Sequence, residues 1–374
     1  MKRWYYIIYF LITAGCFVVL GIYTLFTPQK EYSQNENRVL EQFPLFSWSS
    51  FADGEYQEDL EAAINDQIPG RDTFTATASF GQQMIGLKDV EGVYLGKDDY
   101  YLLKTTDSDI NMFRYMENLR YVEYLSDYVD GQTTLLLVPS AGTVLSEKLP
   151  SHAPFYNAGA MYKAGRAVCQ NTVMPDIRSN LKEIKSYSQV YYCTDHHWTL
   201  RGAYAGYQVL CKEMDLEAKS YEHFVPEPVT RKFLGTLHSR VLDGNAKPDT
   251  IYAATKLPKL SFIECDGEER DSIYDEEKLQ GKDKYGYFFG GNYGVVNIKR
   301  KEKSEKSLLV FKDSFANSLV PFLLDAYGEI TMIDLRYYRE SVEDILRENR
   351  DADVLVLYEM SNFAEESNLW KLTK

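Results

Sequence analysis

Polarity changes abruptly along this chain, and the first change is the largest. After Lys2-Arg3, an apolar run extends from Trp4 to Phe26. As a helix, a run of about 23 residues spans about 34 Å, enough to cross the hydrocarbon core of a bilayer. No comparable basic cluster follows, so the pattern predicts a cytoplasmic N-terminus. Trp4, Tyr5, Tyr6 and Tyr23 lie near the ends of the run, where amphipathic aromatics favour the membrane interface. No small-x-small cleavage site follows, which predicts an uncleaved anchor over residues 1–27.

Ile12-Thr13-Ala14-Gly15-Cys16 offers a competing reading as a lipobox, with Cys16 lipidated. Phe17-Val18-Val19-Leu20 continues the apolar run past that cysteine, where a mature lipoprotein turns polar. Either way, the remainder of the chain is expected outside the cytoplasmic membrane.

Residues 28–50 read as a polar linker and entry segment, and 51–374 as the extracytoplasmic domain. Tyr56, Leu60 and Ile64, four apart, predict an amphipathic helix over Phe51 to Ile64. Asn65 to Asp72 breaks it, and a second helix should follow. Val93 to Leu103 reads as a hairpin turning at Gly96 to Asp99. Helices are expected over Asp109–Asp130, Met161–Gln170, Asp176–Lys185, Leu200–Met214, Ala316–Ala326 and Ser341–Asn349. Strands are expected at Thr133–Val138, Val190–Tyr192, Leu308–Phe311, Glu329–Ile333 and Val354–Tyr358. Short continuous apolar runs of this kind suit buried parallel strands. The alternation argues an α/β fold with a mostly parallel sheet and helices on both faces. Residues 215–305, charged and rich in turns, read as an irregular insertion.

Composition narrows the partners. A net charge of -14 disfavours nucleic acid and anionic membrane surfaces. Cys169, Cys193, Cys211 and Cys265 show no C-x-x-C spacing, so no zinc site is expected. They can form one or two disulfides outside the cell or remain buried thiols.

Candidate chemistry concentrates at Asp195-His196-His197-Trp198. Five histidines serve 374 residues, and two stand side by side here. Asp-x-His spacing can set a carboxylate behind an imidazole base. A nucleophile is expected at Ser314, after the Leu308–Phe311 strand and before a helix. There the helix N-terminus offers N–H groups and partial positive charge to a developing oxyanion. An isolated Asp313-Ser314 pair would read more simply as a helix cap. The Asp195/His197 turn, expected at another strand end, tips the reading toward catalysis.

Asp195-His196-His197-Trp198 and Lys312-Asp313-Ser314-Phe315 together resemble the DHHW proteins, which are similar to the SGNH hydrolase-like acetyltransferases of the alginate O-acetylation family. Glu36-Asn37-Arg38 with Phe43-Pro44, Asn65 to Asp72, Tyr94-Leu95-Gly96-Lys97 and Phe233-Leu234-Gly235-Thr236-Leu237 extend the likeness over nearly the whole ectodomain. The resemblance implies an SGNH-like α/β/α sandwich. It maps the base onto His197, its orienting partner onto Asp195 and the nucleophile onto Ser314. His196 receives no role. It implies transfer of acetyl from a polytopic membrane acyltransferase to hydroxyls of an exported polysaccharide, with no metal or soluble cofactor. A carbohydrate acetylesterase with the same triad, and a non-catalytic glycan-binding component of an export complex, are the alternatives.

Further site residues each carry a structural alternative. Trp198 can line an acceptor site or the core. Gly235 can donate an oxyanion N–H or sit in a plain turn. Asn317 can contact the site or face outward from its helix. Arg336 can bind an acidic sugar or form a structural salt bridge. His152 and His238 are isolated, and no third metal ligand is evident beside His196 and His197.

Overall fold

The structure, a computed structural model, describes residues 2–33, 38–302, 304 and 306–373. Gln34, Asn35 and the Glu36-Asn37 part of the expected Glu36-Asn37-Arg38 motif lie outside the described residues. Two compact units result, residues 1–87 with 239–244, and residues 88–238 with 245–374.

The first unit begins with the helix Lys2–Phe26, within which Trp4–Phe26 is long and apolar enough to cross a membrane. The helix expected over Phe51–Ile64 is two helices, Trp48–Asp53 and Glu55–Gln67. Gly54 separates them at φ +89, a left-handed conformation that glycine adopts without Cβ strain. Gln67 ties its helix to the segment after the apolar span. Its amide donates to Lys30 O and Glu41 O at 2.9 Å, and its Oε1 accepts from Lys30 N–H at 2.8 Å. The expected second helix runs Arg71–Met84.

The second unit is built on a seven-stranded sheet. Its order is Glu268–Glu269, Leu260–Cys265, Val295–Arg300, Glu329–Ile333, Ser307–Lys312, Asp353–Glu359 and Thr133–Val138. The last three pairings are parallel. The first three are antiparallel. The sheet is therefore mixed, and the expected mostly parallel sheet is corrected. The antiparallel half comes largely from the stretch expected to be irregular. Its strands alternate buried and half-exposed positions, as in Val296 and Ile298 against Val295 and Asn297. Such strands lack the continuous apolar run that marked Ser307–Lys312, which is buried from Leu308 onward.

Apolar side chains cover both faces of the sheet. Leu308 and Val310 pack with Trp198, Ala203 and Leu319 on one side. Leu309 and Phe311 pack with Leu119, Tyr162 and Met360 on the other. Helices bracket the sheet, most with one apolar stripe toward it and Ala316–Leu323 buried all round. The helices Met112–Tyr128, Ala158–Val168, Arg178–Ile184, Leu200–Glu213, Ala316–Leu323 and Val342–Glu348 lie within a few residues of expectation. Thr199 caps Leu200–Glu213 by accepting from Gly202 N–H. The hairpin turns through Asp98 and Asp99, both at positive φ.

Val190–Tyr192 is a second correction. It is fully buried but joins no strand of the sheet. It closes on its own chain instead, with Thr199 N–H donating to Val190 O at 3.0 Å and Tyr192 N–H to His197 O at 3.2 Å. The Asp195–His197 turn is thus the tip of a self-closed loop. Its apolar flanks resemble a strand because the loop is buried.

Candidate active site

The serine strand Ser307–Lys312 ends in a turn built by Asp313. One carboxylate oxygen accepts from Phe315 N–H at 2.9 Å. The other accepts from Glu359 N–H and Asn362 Nδ2, both at 2.8 Å. These bonds hold the turn and tie it to the neighbouring parallel strand. Burial pushes the Asp313 carboxyl up, against those hydrogen bonds. Ser314 follows, half-buried, ahead of the fully buried helix Ala316–Leu323.

The histidine loop is fixed by two carboxylates. Asp249 accepts from Cys193 N–H at 3.0 Å and, through its other oxygen, from Thr194 N–H at 2.8 Å and Thr194 Oγ1 at 2.7 Å. Asp195 bends back on its own chain. Its Oδ1 accepts from His197 N–H at 2.9 Å and lies 2.6 Å from His197 Nδ1. Its Oδ2 accepts from Thr236 N–H at 2.8 Å and Thr236 Oγ1 at 3.0 Å. Burial alone would raise the Asp195 carboxyl. The His197 and His196 imidazoles, with the donors from His197 and Thr236, hold it well below the usual carboxylate range instead.

His197 Nε2 lies 2.7 Å from Ser314 Oγ. The two are 117 residues apart in sequence, and Asp195, His197 and Ser314 form one continuous hydrogen-bonded line. Tyr285 stacks on the His197 ring at 3.8 Å with an interplanar angle of 11°. Its hydroxyl donates to Ser318 Oγ at 3.1 Å and lies 3.3 Å from Ser314 O. Burial keeps this phenol protonated. The imidazole is clamped in plane, with one nitrogen toward a carboxylate and the other toward a hydroxyl. That arrangement can remove the serine proton as the oxygen attacks a carbonyl.

The other expected site residues have definite places. Trp198 is completely buried, and its Nε1–H donates to Phe315 O and Ser318 Oγ, both at 3.0 Å. It pins the serine turn to the histidine loop. Gly235 N–H donates to Thr194 Oγ1 at 3.1 Å, not to the serine hydroxyl. A Cβ at Gly235 would collide with the Asp195 carboxylate, so only glycine fits there. Asn317 is buried, accepting from Lys312 Nζ at 3.0 Å and donating to Asn292 Oδ1 at 3.2 Å. Arg336 forms a two-pronged pair with buried Asp334, at 2.8 and 2.6 Å.

Asp195, His196 and His197 bring possible metal-ligand atoms within 4.8 Å of one another. The Asp195 and His197 atoms already serve each other and Ser314. Cys169, Cys211 and Cys265 are buried free thiols, and Cys193 is a half-buried one. Sequence reasoning missed Tyr285, Thr236 and Asp249. Thr236 stood inside the quoted Phe233–Leu237 motif, where its hydroxyl was the available signal. Tyr285 lay in charged sequence with no signal to single it out among 30 tyrosines.

Residues 158–333, which include all three members of this line, match the family model described as DHHW protein. No curated protein matches the chain. Among solved structures, a DHHW family protein from Eubacterium siraeum DSM 15702 is 21% identical, with a TM-score of 0.62. That match covers 76% of this chain and 96% of the other. Bacillus cereus PatB1, in a structure with a sulfonyl adduct, is 20% identical with a TM-score of 0.61, covering 75% of this chain and 100% of the other. A looser likeness is the O-acetyltransferase domain of Pseudomonas putida AlgJ, 15% identical over 74% of this chain and 93% of the other, with a TM-score of 0.46.

Proposed function

With residues 158–333 matching the DHHW family, we propose that this chain is a serine-dependent O-acyltransferase of the SGNH-like kind, acting on an exported or cell-surface polysaccharide. The observation that carries the reading is the hydrogen-bonded line Asp195–His197–Ser314, at 2.6 and 2.7 Å. That closeness supports a catalytic reading over a non-catalytic scaffold.

In the proposed reaction Ser314 Oγ attacks the carbonyl of an acetyl donor, and His197 Nε2 takes the hydroxyl proton. The N–H groups of Phe315, Ala316 and Asn317 are already donated to Asp313 and Ser314 acceptors. We therefore assign Ser314 N–H to the oxyanion. The tetrahedral intermediate collapses, and the departing group takes the proton from His197. An acceptor hydroxyl then gives its proton to His197 and attacks the acetyl-serine. The acetyl ester of the glycan leaves, and Ser314 is reprotonated. Asp195 holds the imidazole and offsets its charge while protonated. No metal or soluble cofactor enters these steps.

The anchor reading places Lys2–Phe26 across the membrane and the remaining domain outside it, where exported glycan is the available acceptor. The helix runs unbroken through Cys16 to Phe26, which supports an anchor over a lipidated cysteine. A polytopic membrane acyltransferase would supply the acetyl group.

Ser314→Ala should abolish acyl-enzyme formation from an activated acetyl ester, read as a mass increment on the intact protein. Persistent labelling of that variant at wild-type stoichiometry would overturn the assignment. Turnover that depends on added oligosaccharide marks transfer. Turnover at the same rate in water alone marks the esterase.

A further inference from the structure

His196, adjacent to the base, has a neighbour whose protons can be counted. Thr236 Oγ1 lies 3.0 Å from Asp195 Oδ2 and 2.7 Å from His196 Nδ1. A hydroxyl carries one proton and two lone pairs. Asp195 is held ionised and can only accept. The hydroxyl proton therefore goes to Asp195 Oδ2. His196 Nδ1 must then carry its own proton and donate it to Thr236 Oγ1. On the other side of the carboxylate, His197 Nδ1–H donates to Oδ1, which leaves Nε2 to accept from Ser314.

We propose that His196 is a positioning residue of the site, acting through Thr236: its Nδ1–H fixes the threonine hydroxyl as a donor to Asp195. The carboxylate then receives donors on both oxygens, which fixes its plane and spreads its charge. This rests on the acyl-transfer reading for its effect on rate, although the hydrogen-bond order itself does not.

The direction of the effect follows from charge. Thr236 and His197 compete for the electron density of Asp195. Loss of the Thr236 donor concentrates charge on Oδ1 and strengthens its hold on a protonated His197. The imidazole would then be bound more tightly in its charged form and serve less well as a base toward Ser314. Among the described residues, the titratable groups facing His197 are Asp195 and His196 from its own loop and Tyr285 from the opposing segment. Ser314 Oγ and the Phe315 ring complete its surroundings. The His196 ring stands 3.9 Å from that of His197, and its Nδ1 lies 3.9 Å from Asp195 Oδ1.

Two measurements on the full chain in detergent test this. Selective 15N-histidine NMR should show His196 with its proton on Nδ1. Separately, the rate of covalent labelling by a sulfonyl fluoride is followed against pH. Thr236→Val should slow labelling at pH 7 about tenfold, the worth of one hydrogen bond to a charged group, and His196→Ala, which loses a bond to a neutral hydroxyl, about threefold. They should also move the acid limb of the profile upward. Thr236→Ser and His196→Asn, which keep a hydroxyl and a side-chain N–H in place, should stay near wild type. An Nε2-protonated His196, or an acid limb unmoved in both disruptive variants, would sink the proposal. Failure of the underlying acyl-transfer reading looks different: Ser314→Ala would then label like the wild type.

Discussion

Asp195 is the residue on which the whole site turns, because four donors converge on it inside a buried loop. An amide cannot replace it. Asp195→Asn keeps the shape but has a single acceptor oxygen, so its NH2 must face either His197 or Thr236, both donors. We expect the acyl-transfer rate to fall by about four orders of magnitude, in line with loss of the correct imidazole tautomer. Stability should respond to pH in a definite direction. The folded-state pKa is depressed, so the carboxylate's contribution is complete above the unfolded value of about 3.9 and is lost as pH falls below it. The stability gap between wild type and Asp195→Asn should therefore be widest above about pH 5 and narrow steadily in acid. Urea unfolding between pH 3 and 7 reads this directly. A gap that widened in acid would contradict the assignment of an ionised, multiply bonded carboxylate.

At the scale of elements, chemistry collects at the carboxyl ends of the parallel strands. The serine strand ends in Lys312 and Asp313, its neighbours in Glu359 and Asp334, and all four are buried. Lys312 Nζ donates to Asn292 Oδ1 at 2.8 Å and Asn317 Oδ1 at 3.0 Å, with Asp334 at 3.9 Å. Burial lowers its pKa to about 8, although Asp334 opposes the shift. An unfolded lysine holds its proton to about pH 10.4. Between those values the unfolded state binds more protons, so this residue makes stability rise with pH. Lys312→Met should flatten the rise between pH 8 and 10, by at most about 3 kcal/mol across the window. Matched denaturation curves would show it, and identical slopes would refute it. This end of the sheet was legible because continuous apolar runs marked its parallel strands. The antiparallel half was not, since Lys299 and Glu264 interrupt strands that are only half covered. The Val190–Tyr192 segment misled for the opposite reason: its burial comes from tertiary packing, not from sheet pairing. The hydrogen-bonded line Asp195–His197–Ser314 was readable from Asp-x-His and from a serine between strand and helix. Tyr285 and Asp249 were not, because their roles depend on a loop closure that no local pattern encodes.

Taken whole, the molecule distributes its apolar surface unevenly. In the second unit, exposed large apolar side chains such as Tyr187, Val225 and Trp370 are scattered, apart from Met112, Phe113, Tyr124 and Tyr128 on the helix Met112–Tyr128. In the first unit they are concentrated even outside the membrane-length helix. Leu45, Trp48, Phe74, Phe80, Met84 and Ile85 are all more than half exposed. Thr73 to Leu87 contains no charged residue at all, in a chain that is 26% charged. An exposed apolar surface of this kind drives association in water. Deleting residues 1–27 removes the span that is long enough to hold the chain in a bilayer. We therefore expect the shortened protein to be released from membranes by alkaline carbonate, which leaves the full chain in the pellet. It should nevertheless self-associate as concentration rises, because the uncharged helix face remains. Replacing Phe80 and Met84 by lysine should restore a single species in size-exclusion chromatography while leaving Ser314 labelling unchanged. Carbonate extraction of the full chain would remove the case for a spanning anchor. A monodisperse shortened protein would show that the helix face is not sticky and needs no partner in the cell.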